Sequence, residues 1–410
     1  MALTNFAQPT WSITPEQGQQ LNSVAFDAAG KNIVTGTSQE YGNTNVDVYC
    51  YQTDGQNVTL SWKQTIASDV QYGTFWVAMA DLGQYCAAAG HTASDNGYIY
   101  VYDVQNSGTV VGEFNYDSRV SEIELTPAGD YFIAVQGVNV ILGKNNAGSF
   151  TATEDALPSG AYMRTCGIST NSTYAVAAGA IYSTESKADD ESSAPTGVIC
   201  VYQNNGGSFT RLNTIAMPHE ILRVAMTDDG NYFVATDDNG HVHFFSSTST
   251  TATWSYTPAY ACDLTYAAAI AYDTNQDVLV GVGTNISVTT QVQSEQASAF
   301  TVQPGLIYVL KDVSDAPQVL WQQRIEYPPN PGLNFDVSAK YLTCATGQPY
   351  DTQNETIGSF YLFDAATGFQ YWRYDTSIMN WPMNINAQAT ACVGGSDSGT
   401  LYYWGQPDNS

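Results

Sequence analysis

Residues 221–258 read ILRVAMTDDGNYFVATDDNGHVHFFSSTSTTATWSYTP. A short apolar strand (RVAM, 223–226) runs into a turn rich in Asp and Gly, and a strand of small and apolar residues (YFVAT, 232–236) follows. A Gly-led aromatic strand (GHVHFF, 240–245) and a Trp-centred fourth strand (TWSYTP, 253–258) complete the unit. The plan recurs along the chain. First halves read SVAFDAAGKNIVTG from Ser23, WVAMADLGQYCAAAG from Trp76 and EIELTPAGDYFIAV from Glu122. Second halves read GYIYVYD (97–103), GVICVYQ (197–203), GLIYVL (305–310), GSFYLFD (358–364) and GTLYYW (399–404). Self-similarity at a period of about fifty residues, built from strands and tight turns, is the signature of a β-propeller.

Aligning the turns between first and second strands gives eight repeats. Seven span 21–66, 74–116, 120–153, 163–215, 221–258, 265–325 and 332–376. The eighth has three strands, 382–386, 390–395 and 400–404, and its outer strand is expected from the other end of the chain. There PTWSITP (9–15) matches TWSYTP (253–258). The expected fold is all-β: an eight-bladed propeller of four-stranded antiparallel blades, one domain over residues 1–410, closed where strand 9–15 pairs with the blade at 380–404. Such pairing removes two exposed sheet edges, so deleting the first fifteen residues is expected to destabilise the whole ring. In the innermost strands Val24 and Phe26, Val77 and Met79, and Val224 and Met226 share one face, while Ala25, Ala78, Gly167, Ala225 and Ala271 take the other. One bulky and one small face suit strands converging on an axis. The Asp residues of the Gly turns are turn formers first.

Acids outnumber bases 39 to 12, for a formal charge of −27. That surface repels phosphate backbones and anionic membranes, so neither nucleic acid nor membrane insertion is expected; no apolar run is long enough to span a bilayer. A basic protein, a metal ion or a neutral glycan would suit it better. MALTNFAQPTWSITPEQ at the N-terminus carries no signal-peptide pattern, which makes the cytoplasm the default, whereas sparse charge with abundant Thr, Ser, Asn and Tyr has an extracellular or cell-surface flavour. The seven cysteines include no vicinal pair. They read as reduced core residues, though Cys166 and Cys200 share a blade and could pair.

The fourth strands carry Trp62, Trp254, Trp321 and Trp372, joined by Trp11 from the N-terminal segment. YLFDAATGFQYWRYDT (361–376) resembles the tryptophan-docking repeat of quinoprotein-like (PQQ-type) propellers, and YVLKDVSDAPQVLW (308–321) is a looser copy. WD40 propellers are the competing relative: VYD (101–103) and LFD (362–364) sit where their Trp-Asp dipeptide would be, but Gly90–His91 and Gly240–His241 do not fall where their Gly-His partner belongs. The quinoprotein-like resemblance implies the architecture and tryptophans packed between neighbouring blades. Its dehydrogenases' Cys-Cys pair and calcium ligands have no counterpart here, so it points to the non-catalytic members that use the ring as a scaffold.

Long connections between second and third strands decorate one face: 182–196 with Glu185, Asp189, Asp190 and Glu191, 284–304, and 347–357 with Tyr350 and Asp351. Compact folds rarely keep such loops without use. No cofactor is predicted; calcium could sit at Asp189, Asp190 and Glu191. Near the axis Glu122 and Glu124 interrupt the small-residue column, and Arg223 takes the position of Glu122 two blades later. Carboxylates at i and i+2 lie roughly 7 Å apart, which allows an acid–base pair or a metal site, or merely a wet channel with ion pairs to Arg119 or Arg164. His241 and His243 share a strand face, a spacing compatible with zinc or copper, but with only Asp237 or Asp238 as a third ligand they read as a half-exposed surface pair. His219 and His91 belong to the decorated face, as do Tyr72, Phe75, Trp76, Tyr260, Tyr266, Tyr327 and Trp381, which could stack on sugars, anchor a protein or plug the channel. No G-x-S-x-G, Walker loop or H-E-x-x-H is present. The expectation is a non-enzymatic scaffold that binds a protein partner, or self-assembles, through its long loops. The alternatives are a metal- or quinone-dependent enzyme with an axial site and a glycan-binding module.

Overall fold

The computed structural model describes residues 3–15, 19–93, 96–182, 195–287, 303–349 and 356–405. Apart from a single 3-10 turn at Leu3–Asn5, every element in them is a β-strand, and no helix among them is long and apolar enough to cross a membrane. The strands form antiparallel meanders. Consecutive four-stranded sheets cover 120–156, 161–217, 221–256, 267–325 and 334–376. A sixth joins Asn380–Ile385, Ala391–Ser396 and Leu401–Gly405 to the N-terminal strand Trp11–Ile13, with Trp11 opposite Tyr403 and Ile13 opposite Leu401.

Residues 20–116 form one six-stranded sheet. Two of its strands are twice the usual length. Asn32–Thr53 folds back on itself: the Asp47 N–H donates to Thr37 Oγ1 at 2.8 Å and the Thr53 N–H to the Lys31 carbonyl at 2.9 Å. Val58–Met79 pairs with this ribbon at one end (Trp62 opposite Cys50) and with Tyr85–Ala93 at the other (Val77 opposite Ala88). Gly73 marks the crossing, at φ +151°, where a Cβ would stand 2.4 Å from the Thr37 carbonyl oxygen.

The first strands of successive repeats lie side by side and share hydrogen bonds. The Val77 N–H reaches Ser23 Oγ at 3.0 Å, and the Val224 N–H reaches Thr165 Oγ1 at 3.2 Å. The Asn384 amide bonds the Val24 carbonyl. Nearly all these strands carry a bulge at the same place, between Leu21 and Ser23, Thr74 and Trp76, Val120 and Glu122, Met163 and Thr165, Ile221 and Arg223, and Asn380 and Met383. A bulge leaves one residue out of the ladder and re-aims its side chain, so residues just before and within each strand turn toward the space the strands enclose. At the other end of these strands a side-chain oxygen closes most of the turns: Asp27 Oδ1 accepts the Lys31 N–H at 2.7 Å, and Asp336 Oδ1 the Tyr341 N–H at 2.6 Å.

Apolar cores lie between neighbouring sheets. Their outer seams are tryptophans set against the next sheet. Trp321 donates to the Ala365 carbonyl at 2.7 Å and lies on Gly368, whose Cβ, if present, would come within 2.6 Å of the indole; Gly368 also sits at φ +73°. Trp62 covers Gly108, Trp254 donates to Asp312 Oδ1 at 2.8 Å, and Trp372 stacks on Trp404 at 5.2 Å. The sheets hold seven free thiols, six of them buried, and Cys166 and Cys200 do not pair. Burial pushes Cys50 up to about 12, well away from reactive thiolate chemistry.

Candidate functional site at the channel

The enclosed space is a channel divided by an ion pair. Glu122, on Val120–Leu125, and Arg223, on Ile221–Met226, meet across it at 2.8 Å (Oε1 to Nη2). The Arg223 guanidinium lies 4.6 Å from the Trp76 ring centre, and Glu122 Oε2 accepts the Cys166 N–H at 3.2 Å. The expected partners, Arg119 and Arg164, are not the ones used. Arg164 pairs instead with Glu220, at 2.6 Å, because its bulge turns it to the rim. Glu124 shares the strand face of Glu122. Desolvation, reinforced by the charge of Glu122, pushes its carboxyl up to about 8 despite Arg223 and the Trp76 indole. Burial raises Glu122 as well, but Arg223 and the Cys166 N–H oppose it. Glu122 therefore holds the negative charge of the pair and Glu124 the proton.

On the loop-bearing side of the pair lie two adjoining cavities of about 280 and 540 Å³. The bulge residues Asn22, Phe75, Ser121, Arg164 and Leu222 line the first, together with Trp381. Three of the chain's six arginines, Arg119, Arg164 and Arg223, converge there. Arg119 lies 4.5 Å from the Phe75 ring centre and donates to the Tyr162 hydroxyl at 2.5 Å. Its Nε is buried without a hydrogen-bond partner, and among the described residues no carboxylate pairs with it. His91 Nδ1, in the same wall, is likewise buried and unbonded. Burial and the Arg119 charge hold His91 down to about 4, so it stays neutral. Tyr72, at φ +69°, stacks on it at 4.2 Å. On the far side of the pair a cavity of about 450 Å³ opens among Glu124, Asp81, Asp228 and Asp336.

Trp76 and Trp381 thus sit at the channel, Trp381 donating to Asp397. His219 stands on the same face, its Nδ1 3.7 Å from Asp238 Oδ1. Glu185, Asp189, Asp190, Glu191, Tyr350 and Asp351 lie outside the described residues, as does the calcium site expected among them. The reading of His241 and His243 as a half-exposed surface pair is corrected: His243 and Asp237 are buried, and both imidazoles bond the same carboxylate oxygen, since the strand alternation points His243 inward under the turn. Of the bulge residues, Phe75 and Arg164 were named from the sequence, whereas Asn22, Ser121 and Leu222 were not foreseen. Their signal was the position just before each SVAF-, WVAM- or RVAM-like strand.

Two solved structures are similar over nearly the whole chain or most of it. The C-terminal WD40 domain of Sif2 matches with a TM-score of 0.62 at 10% identity, covering 96% of this chain and 99% of that one. The β-propeller domain of Cps50 (Swd1) from Myceliophteria thermophila matches with a TM-score of 0.51 at 13% identity, covering 80% and 95%. The fold is a WD40-like β-propeller. No protein-family model matches the chain, and no curated protein matches it in sequence.

Proposed function

We propose that the chain is a single-domain, eight-bladed propeller that binds a protein partner at its loop-bearing mouth, with a carboxylate of the partner seated on Arg119. One observation carries this reading. In a chain of net charge −27, Arg119 has no acid paired with it among the described residues and keeps a buried, unbonded N–H, in an aromatic-walled cavity. A buried guanidinium donor without an acceptor is costly, and an incoming carboxylate would supply one in the bidentate manner arginine favours. Phe75, Tyr72, Tyr162 and Trp381 would cover the apolar part of such a ligand, and aromatic and Arg anchors are what interfaces enrich.

Eight blades are supported by the strand count. The thirty strands of the described residues, two of which each serve two positions, would fill four places in each of eight blades. The pairing of Trp11–Ile13 with Leu401–Tyr403 would close the ring. The tryptophans lying on Gly108 and Gly368 support the quinoprotein-like resemblance at the level of the fold. Self-assembly would use the same face.

An enzymatic role of the channel is the second reading, favoured by a neutral Glu124 beside an ionised Glu122, an arrangement suited to proton transfer. Peptides selected on the full chain from a random display library test the first reading. They are expected to share an acidic residue flanked by apolar ones, and to lose about tenfold or more in affinity to Arg119→Gln, the size of one charge-assisted hydrogen bond. Peptides indifferent to that substitution, or no peptides at all, would overturn it.

A further inference from the structure

Two strands outward from the axis, on the same loop-bearing face, three of the chain's four histidines gather around two adjacent aspartates. Asp237 ends strand Tyr232–Asp237, His241 sits in the turn that follows, and His243 lies on strand Val242–Ser246. The carboxylate of Asp237 is fixed from behind. Its Oδ1 accepts the backbone N–H groups of Asn239 at 3.0 Å and His241 at 2.8 Å. Its Oδ2 is thereby aimed at two imidazoles, His241 Nδ1 at 2.9 Å and His243 Nε2 at 3.2 Å.

We propose that Asp237, His241 and His243 form a binding site for a zinc-like divalent transition-metal ion. The three donor atoms lie within 4.8 Å of one another, and no other three His, Cys, Asp or Glu donors among the described residues do so. Donors bonded to a tetrahedral ion at about 2.0–2.1 Å stand roughly 3.3 Å apart, close to the two spacings already set. Small rotations of the rings admit the ion. Two nitrogens and one oxygen, with no sulfur, select zinc or a neighbouring first-row ion over calcium, which takes six or more oxygens. The ligands also have the supports that metal sites use. His243 Nδ1 lies 2.8 Å from Ser255 Oγ, a hydroxyl able to donate or accept. When Nε2 binds the ion, the ring proton moves to Nδ1 and Ser255 turns to accept it. His241 donates its Nδ1–H to Asp237, so when Nδ1 binds the ion that ring proton moves to Nε2, on the side away from the ion.

A second observation points outward from the same three atoms. Asp238 Oδ1 is buried and makes no hydrogen bond, and the His219 ring stands 5.4 Å from that of His241. The fourth coordination position would open toward this pair. A structural role for the cluster needs only one imidazole on the Asp237 oxygen. Two imidazoles converging on one buried carboxylate oxygen are accounted for by an ion shared among the three.

The test uses the full chain after chelator treatment, titrated with zinc chloride by calorimetry and with cobalt(II) by visible absorption. One equivalent of zinc is expected to saturate and to raise the melting temperature. Cobalt(II) is expected to give the intense bands of a low-coordinate site. His241→Gln and His243→Gln should each weaken zinc about tenfold or more, and Ser255→Ala about tenfold through its hold on His243. His241 is partly open to solvent, so His241→Gln keeps the fold testable even if His243→Gln does not. Asp54→Asn, in a distant exposed turn, should bind as the parent does. Failure of zinc to bind at one equivalent, or undiminished binding by folded His241→Gln, overturns the proposal.

Discussion

The two ends of the channel are built from the same strands and carry opposite chemistry. The loop-bearing end gathers Arg119, Arg164 and Arg223 with aromatic rings, while the turn-bearing end gathers Asp81, Asp228 and Asp336. The acidic end needs little explanation beyond the fold. Asp336 closes its own hairpin turn, and Asp228 accepts the Thr170 hydroxyl at 2.8 Å between neighbouring turns. The arginines have no such excuse. No turn requires Arg119, and among the described residues no carboxylate pairs with it. Residues that the fold explains are weak evidence of function; those it leaves unexplained are the better guide.

Breaking the partition between the two ends should have the largest effect. Arg223→Met strands the buried Glu122 carboxylate without its partner and is expected to cost about 3–5 kcal/mol in urea unfolding. The double variant Arg223→Met with Glu122→Gln removes both charges and should recover most of that loss. A double variant as unstable as the single one would show that packing on Trp76, not the ion pair, divides the channel.

Glu124 sharpens the comparison through pH. Its folded value, about 8, lies above the ordinary 4.5, so between those values the folded chain holds a proton that the unfolded chain has released. The contribution of Glu124 to stability is therefore full below about pH 4.5 and is lost as pH rises toward 8, with a slope of up to about 1.4 kcal/mol per pH unit. Glu124→Gln should flatten that part of the profile while leaving acid-side behaviour intact. Parallel profiles for the two proteins from pH 5 to 8 would mean that water in the channel keeps Glu124 ionised.

The fold was legible because the repeat is written in the residues that make it: Gly, Asp or Asn in the turns, small residues on the axial face, Trp on five of the outer strands. The pairing of segment 9–15 was legible in the likeness of PTWSITP to TWSYTP. The axial residues Glu122, Glu124 and Arg223 were legible as charges in a column of Ala and Gly. Their partners were not, because a bulge shifts the side-chain phase within one strand, and period-two reading carries no sign of it. The bulge sends Arg164 to Glu220 and leaves Arg223 for Glu122. The convergence of Asp237, His241 and His243 was hidden for a different reason. Spacing of two places the histidines on one face, but the depth of that face and the aim of the Asp237 carboxylate depend on the Asn239 and His241 backbone N–H groups.

The smallest effect is expected at the acidic end. The walls of the cavity, then the charges of Asp228 and Asp27, raise the Asp81 carboxyl, so its ionised form is slightly unfavourable where it stands. Asp81→Asn removes that charge from an exposed turn and should leave stability at pH 7 within about 0.5 kcal/mol, on the stabilising side. Peptides that depend on Arg119 should bind it as they bind the parent chain, because the Glu122–Arg223 pair stands between the two sites and screened charges at opposite channel ends act weakly on each other. A loss of peptide affinity in Asp81→Asn comparable with that of Arg119→Gln would mean that the ligand threads the whole channel, and the two ends would then be one site.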